Sequence, residues 1–129
     1  MPAQLNHTIV WCRDKQRSSA FLAEMLGLPP PRGFFHFLVV DAANGVSLDF
    51  MEQDEPIAPQ HYAFLVSDAE FDAGMQRITD QGVAHWADPA RTQPGAINHH
   101  FAGRGVYFAD PDGHLLEMIT KPYGAESEL

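Results

Sequence analysis

The chain has 129 residues, of which 45% are hydrophobic and 19% charged, values that are ordinary for one globular domain with a sizeable core. Its formal net charge is −9 without a basic cluster, which argues against nucleic acid as a partner. A single cysteine excludes an internal disulfide framework, no apolar run has membrane-spanning length, and the N-terminus lacks signal-peptide features. We therefore expect one cytoplasmic domain over residues 1–129 that does not bind a membrane.

The first half of the chain predicts a strand, a helix and further strands. Asp14 can cap a helix that runs to about Leu26, and Gly27 ends it. Asn44-Gly45 is typical of a hairpin turn. The strands are predicted over residues 5–12, 34–40 and 46–51.

The second half predicts the same order of elements. Ser67 and Glu70 form a capping box at the head of a helix that Gly82 ends. A long loop over residues 88–105 follows, and loops of this length are often functional. Asp112-Gly113 indicates a tight turn inside a final hairpin. The strands are predicted over residues 61–66, 83–86 and within the hairpin of residues 106–119.

The two halves can be superposed on each other as an internal repeat. His7 and His61 each lie seven residues before the aspartate at the head of a helix, and Asp49 and Glu117 each lie four residues after a hairpin glycine. This spacing predicts two β-α-β-β-β modules, the second enlarged by its long loop. Module one spans about residues 5–53 and module two about residues 60–120, and a tail follows over residues 121–129.

A carboxylate in the middle of an apolar strand, such as Glu117, is expensive to bury without a partner. The partner is a bound cation or a salt-bridge residue, unless the side chain faces a pore and stays hydrated. His7, Asp49, His61 and Glu117 occupy equivalent repeat positions on predicted strands, so they can converge if those strands line one concave surface. Two imidazoles and one or two carboxylates suit Zn, Fe(II), Mn, Ni or Co and leave positions open for water and substrate.

Several other side chains have simpler interpretations. On the first strand, Cys12 points away from His7, so we expect it to be packed in the core. The aromatic residues Trp11, Phe50 and Phe64 are also expected in the core. His114 has the opposite strand parity to Glu117 and should point away from a metal there.

The paired modules, the first-strand histidine and the D-P-D-G-H-x-x-E sequence that ends at Glu117 resemble the vicinal oxygen chelate superfamily. This superfamily includes glyoxalase I, extradiol dioxygenases, and fosfomycin- and bleomycin-resistance proteins. The resemblance covers about Leu5 to Thr120. It implies an α+β fold, in which the two modules form a curved, half-open mixed β-barrel with the helices outside, and a homodimer that often completes the pocket.

The resemblance also implies a site: one divalent metal ion held by His7, His61 and Glu117. Asp49 stands where a glyoxalase I-like site has a further carboxylate, usually a glutamate, so it is expected as a fourth ligand. Because aspartate is one methylene shorter, the alternatives are that it acts through a water molecule or as a base. His100, Arg104 and Tyr107 are candidates for substrate binding. The first two could equally be solvated loop residues, and the tyrosine could be a core aromatic.

An open metal site implies an enzyme in which the metal acts as a Lewis acid on a small-molecule substrate bound through oxygen. A lyase or isomerase reaction is the first expectation, and an extradiol-type Fe(II) dioxygenase is the alternative. Such dioxygenases usually carry a doubled set of modules, which disfavours that alternative here. A fosfomycin-type activity is also disfavoured, because Lys121 is the only basic residue that follows Glu117. A protein of another class, a non-catalytic drug binder of the bleomycin-resistance type, would not need all three ligands.

Overall fold

A computed structural model describes residues 2–124 of the chain. The chain divides into two compact units, Met1–Ala58 and Pro59–Leu129, and this boundary falls between the two predicted modules. Residues 125–129 of the predicted tail lie outside the described residues. Among the described residues, no helix is long and apolar enough to cross a membrane.

Unit one is a four-stranded mixed sheet with one helix. Its elements are β1 (His7–Cys12), α1 (Lys15–Leu26), β2 (Arg32–Phe34), β3 (Phe37–Asp41) and β4 (Ser47–Glu52). The strand order is β1-β4-β3-β2, with β1 parallel to β4 and the other neighbours antiparallel. The single strand predicted over residues 34–40 is in fact two strands, because a turn at Phe35, whose φ is +52°, interrupts it.

Helix α1 begins and ends where its sequence predicts. The Asp14 side chain accepts a hydrogen bond of 3.1 Å from the backbone N–H of Arg17, which satisfies one of the unpaired donors of the first turn. Gly27 closes the helix with a φ of +65°, a conformation that glycine adopts without steric cost. The helix packs against β3 and β4. The buried residues of this unit include Val10, Cys12, Leu22, Met25, Val40 and Phe50.

Unit two repeats this topology. Its elements are β5 (His61–Leu65), α2 (Asp68–Asp80), β6 (His85–Trp86), a short 3-10 helix (His100–Ala102), β7 (Gly105–Ala109) and β8 (Leu115–Ile119). The order β5-β8-β7-β6, with β5 parallel to β8, matches that of unit one and confirms the internal repeat. The capping box at Ser67 and Glu70 is also confirmed, with hydrogen bonds of 2.9 and 3.1 Å.

The turn between β7 and β8 is organised around a buried carboxylate. One oxygen of Asp110 accepts hydrogen bonds from the backbone N–H groups of Asp112, at 2.9 Å, and His114, at 2.8 Å. Burial raises the pKa of Asp110, although these hydrogen bonds and the neighbouring His114 oppose that effect. The His114 ring is 1% exposed, and its Nδ1 accepts a hydrogen bond of 2.9 Å from the backbone N–H of Gln60. His114 therefore has the structural role that its strand parity indicates.

The prediction that Trp11 belongs to the core is wrong. Trp11 shares one face of β1 with His7 and Ile9, and all three are exposed, Trp11 to 37%. Cys12 lies on the opposite face and is buried, as expected. Of the other two aromatic residues expected in the core, Phe50 is buried and Phe64 is half-buried.

We expect Asp110→Ala to lower the free energy of unfolding by about 2 kcal/mol, because two backbone N–H groups lose a charged acceptor in a buried turn. Urea denaturation measures this change. The matched control is Asp54→Ala, which removes an exposed carboxylate from a loop and should change stability by less than about 0.5 kcal/mol. Equal stability of the two variants would contradict the role assigned to Asp110.

Candidate functional site

Glu117 and His61 form a pair on neighbouring parallel strands of unit two. The register places Glu117 opposite Ala63, two residues after His61. His61 Nε2 lies 2.9 Å from Glu117 Oε1, and the side chains are 48% and 13% exposed. The carboxylate that is costly in an apolar strand therefore has an imidazole partner, and that imidazole remains partly exposed.

Tyr107 completes this cluster from the other side of β8. It lies opposite Glu117 in the antiparallel β7–β8 pair, and its ring centroid is 5.9 Å from that of His61. Burial raises the pKa of Tyr107 to about 12, and the negative charge of Glu117 and hydrogen bonding to it act in the same direction. The phenol therefore stays protonated at neutral pH and remains a hydrogen-bond donor beside the carboxylate.

A cavity of about 250 Å³ opens beside Glu117 within unit two. Its apolar and aromatic wall consists of Phe101, Tyr107, Ile119 and Tyr123. Its polar wall consists of Asn98, His100, Arg104, Glu117 and Lys121. All three residues proposed from the sequence for substrate binding, His100, Arg104 and Tyr107, line this cavity, and their role there stays a prediction.

Arg104 is already engaged by carboxylates. Its guanidinium hydrogen-bonds to Asp72 at 2.7 Å and to Asp68 at 3.1 Å, and it stacks 4.5 Å above the centre of the Phe71 ring. Both aspartates belong to α2, so Arg104 ties the end of the long loop to that helix. Its charge is therefore largely balanced before any ligand enters the cavity.

Asn98 anchors the long loop, and sequence analysis did not identify it. Its side-chain amide donates to the carbonyl of Ala87 at 2.8 Å, and its backbone makes two hydrogen bonds of 2.9 Å with Gly105. A Cβ on Gly105 would lie 2.8 Å from Asn98 Oδ1, so glycine is required for this approach. Because these contacts join residues far apart in the loop, no local pattern would have predicted them.

Phe101, Lys121 and Tyr123 are further cavity residues that were not proposed as a site. A sequence signal existed for Lys121 and Tyr123. Together with Glu117 and Ile119, they alternate with the period of a strand, so these side chains face one side if the chain stays extended beyond the end of β8. Phe101 has no such signal. It enters the cavity wall from a turn in which its own φ is +58° and that of Ala102 is +60°.

In unit one, His7 and Asp49 occupy the positions equivalent to His61 and Glu117. Asp49 lies opposite Ile9, two residues after His7, which reproduces the register of unit two. Asp49 is 7% exposed and has no hydrogen-bond partner among residues 2–124, whereas His7 Nδ1 lies 2.7 Å from Asn6 Oδ1. An aspartate is one methylene shorter than a glutamate, which accounts for the absence of the pair formed in unit two.

The donor types at these positions fit a divalent metal. Imidazole nitrogen and carboxylate oxygen are ligands of Zn, Fe(II), Mn, Ni and Co, and His7 keeps Nε2 available when Nδ1 donates to Asn6. Within the described part of each unit, no group of three or more His, Cys, Asp and Glu side chains is arranged so that it could bind a metal ion. The structure therefore brings together His61 and Glu117, while the three-ligand set with His7 stays a prediction.

Comparison with known proteins identifies relatives over almost the whole chain. The model of the Glyoxalase/Bleomycin resistance protein/Dioxygenase superfamily matches residues 4–118. Glutathione transferase FosA from Serratia marcescens is 31% identical over 124 residues, which cover 92% of this chain and 81% of that protein. The solved structure of oxidase ChaP-H1 is 54% identical with a TM-score of 0.93 and covers 95% of this chain and 99% of its own. That of oxidase ChaP-H2 is 51% identical with a TM-score of 0.94 and covers 97% and 98%.

We expect the last tyrosine to ionise in the metal-free protein to be Tyr107, at about pH 12. Burial also raises the pKa of Tyr62. Ultraviolet titration of phenolate absorbance should therefore lose its final step in Tyr107→Phe and keep it in Tyr123→Phe. A final step that survives in Tyr107→Phe would contradict this assignment.

Because the raised pKa favours the neutral phenol in the folded state, its contribution to stability is complete below about pH 10 and is lost as the pH rises towards 12.

Proposed function

Because the chain belongs to the Glyoxalase/Bleomycin resistance protein/Dioxygenase superfamily, we propose that it is a divalent-metal-dependent oxidase of a small-molecule substrate. The observation that carries the proposal is the pair of His61 and Glu117, held 2.9 Å apart at the side of a partly aromatic cavity. A site of this kind offers ligands to a metal and space for a substrate next to it. We also expect the protein to be a homodimer.

In this proposal, His7, His61 and Glu117 hold the metal. When bound, a divalent ion supplies Lewis-acid polarisation of a substrate oxygen, and iron adds electron exchange with dioxygen. Tyr107 keeps the Glu117 carboxylate oriented by hydrogen bonding from the neighbouring strand. Asp49 is the proposed base, because its buried carboxylate has no hydrogen-bond partner among the described residues.

The choice of oxidase rests on the degree of similarity. The two solved structures above 50% identity, which this chain covers almost completely, are both named oxidases. The curated transferase FosA is 31% identical. Lyase or isomerase chemistry, the first expectation from the sequence, uses the same ligands and has no comparable support among these relatives.

Metal binding tests the proposed ligand set. We expect about one equivalent of a divalent ion per chain, and we expect His7→Ala, His61→Ala and Glu117→Gln each to weaken metal affinity by more than about tenfold. Elemental analysis and metal titration measure both quantities. His36→Ala is the matched control, because it removes an exposed imidazole from the turn between β2 and β3. If the wild-type protein takes up none of Zn, Ni, Co, Mn and Fe(II), it is better explained as a non-catalytic binder.

Consumption of dioxygen tests the proposed oxidase reaction. We expect the Fe(II)-loaded protein to consume dioxygen when it is supplied with catechols and hydroquinones, as recorded with an oxygen electrode. Glu117→Gln should abolish this uptake, and Asp49→Asn should reduce it by about 10²-fold or more while the metal content is kept, because a positioned base contributes about that factor. Consumption of glutathione with fosfomycin, without oxygen uptake, would favour a transferase instead.

A further inference from the structure

The cavity in unit two has opposite charges on one wall. Glu117, Ile119 and Lys121 follow one another at strand spacing, and all three line the cavity. Glu117 and Lys121 are four residues apart, which is a span of at most about 13 Å in extended chain, so the two charged residues lie near each other along one wall of the cavity. A ligand that carries its own negative charge would be oriented by this arrangement, with its anionic end towards Lys121.

Among the described residues, Lys121 is the strongly basic residue of the cavity lining whose charge is not paired. The other strongly basic side chain of the lining, Arg104, is paired with Asp68 and Asp72. The Lys121 ammonium has no hydrogen bond or ion pair with any residue of the range 2–124. Its side chain passes close over Gly103, where an added Cβ would lie 2.6 Å from Lys121 Cγ. The stem of the lysine is therefore packed, while its charged end has no described partner.

Aromatic rings form the other part of the wall. The ring centroids of Phe101 and Tyr123 are 5.7 Å apart, and those of Phe101 and His100 are 6.3 Å apart. Phe101 reaches this position from two consecutive left-handed residues, Phe101 and Ala102, a conformation that costs non-glycine residues free energy and often occurs at functional sites. Flat aromatic walls favour a planar, polarisable ligand over a flexible aliphatic one.

We propose that the cavity binds an aromatic carboxylate of about two fused rings, with its carboxylate at Lys121 and a hydroxyl oxygen at the Glu117 end. The volume of about 250 Å³ lies just below the range of about 300–1,000 Å³ that is usual for drug-sized ligands, which limits the ring system. The inference rests on the proposed function, which supplies the metal that would receive the hydroxyl oxygen. It names the substrate class that the proposed function leaves open.

Two probes that differ only in the carboxylate test this inference: 6-hydroxy-2-naphthoic acid and 2-naphthol. Calorimetric titration of the Zn-loaded full chain should give an affinity about tenfold higher for the acid than for naphthol. Lys121→Gln should weaken binding of the acid by about five- to tenfold and binding of naphthol by less than twofold. Lys121→Arg keeps the charge and should keep the preference. Tyr123→Leu should weaken both probes, because it removes an aromatic wall that they share.

The chain offers a close control, because it contains only one other lysine. Lys15→Gln removes the same charge from unit one, where the ammonium donates to the carbonyl of His36 at 3.0 Å, and it should leave both affinities unchanged. A preference for the acid that persists in Lys121→Gln, or that is lost equally in Lys15→Gln, would overturn the inference.

Failure of the proposed function would look different from failure of this inference. It would appear as absence of metal uptake, which is measured before any probe is added. The two probes are then compared in the metal-free protein, where loss of the preference for the acid in Lys121→Gln alone would still support a carboxylate site at Lys121. Equal affinity of wild-type and Lys121→Gln protein for the acid would reject that site, whatever the metal content.

Discussion

The parallel pairing of the first and last strands is the constraint on which each unit depends. A crossover through one helix carries the chain from the first strand to the far edge of the sheet, and a three-strand meander brings it back. The last strand therefore arrives beside the first and parallel to it. In unit two this pairing places Glu117 two residues along from His61, within reach of its imidazole. The charge that would be costly in an apolar strand is thereby compensated.

The repeat shows how one difference in side-chain length changes the outcome of the same register. His7 and Asp49 hold the equivalent positions in unit one, but no hydrogen bond joins them. The Asp49 carboxylate is buried and has no hydrogen-bond partner among the described residues, although its charge interacts with that of Arg32, whereas Glu117 has both His61 and Tyr107. Two sites of equal topology are thus chemically unequal: in one the carboxylate is hydrogen-bonded by its neighbours, and in the other the carboxylate is buried without a hydrogen-bond partner among the described residues.

The polar side chains of the cavity beside Glu117 differ in whether they are already paired, and this difference would orient a charged ligand. The long loop that precedes β7 is held in place by Asn98 and by Arg104, and the side chains of both residues hydrogen-bond to other parts of the protein. Lys121 does not, within the described residues. The cavity therefore combines an aromatic wall with one carboxylate that is paired with an imidazole and one cation that has no partner within residues 2–124. In our proposal, this site would select a ligand by the position of its negative charge as well as by its shape.

The sequence by itself determined the elements and the repeat, because those depend on local chemistry. Asp14 and Ser67 cap their helices, Gly27 ends one, and the strand parity of Cys12 and His114 places both side chains in the interior. The spacing of His61 and Glu117 also predicted that both would lie on strands of one module. Each of these inferences needs only neighbours in the chain.

Only the tertiary structure decided the rest, because it depends on contacts between distant segments. Trp11 is exposed because the face of the sheet on which it lies is not covered. The turn at Phe35 depends on a left-handed backbone conformation for which the sequence has no signal. The engagement of Arg104 by α2 and the entry of Phe101 into the cavity required the path of the long loop. His61 Nε2 and Glu117 Oε1 lie 2.9 Å apart although the two residues are 56 positions apart in the chain. The register of the parallel strands sets that distance, and sequence spacing does not.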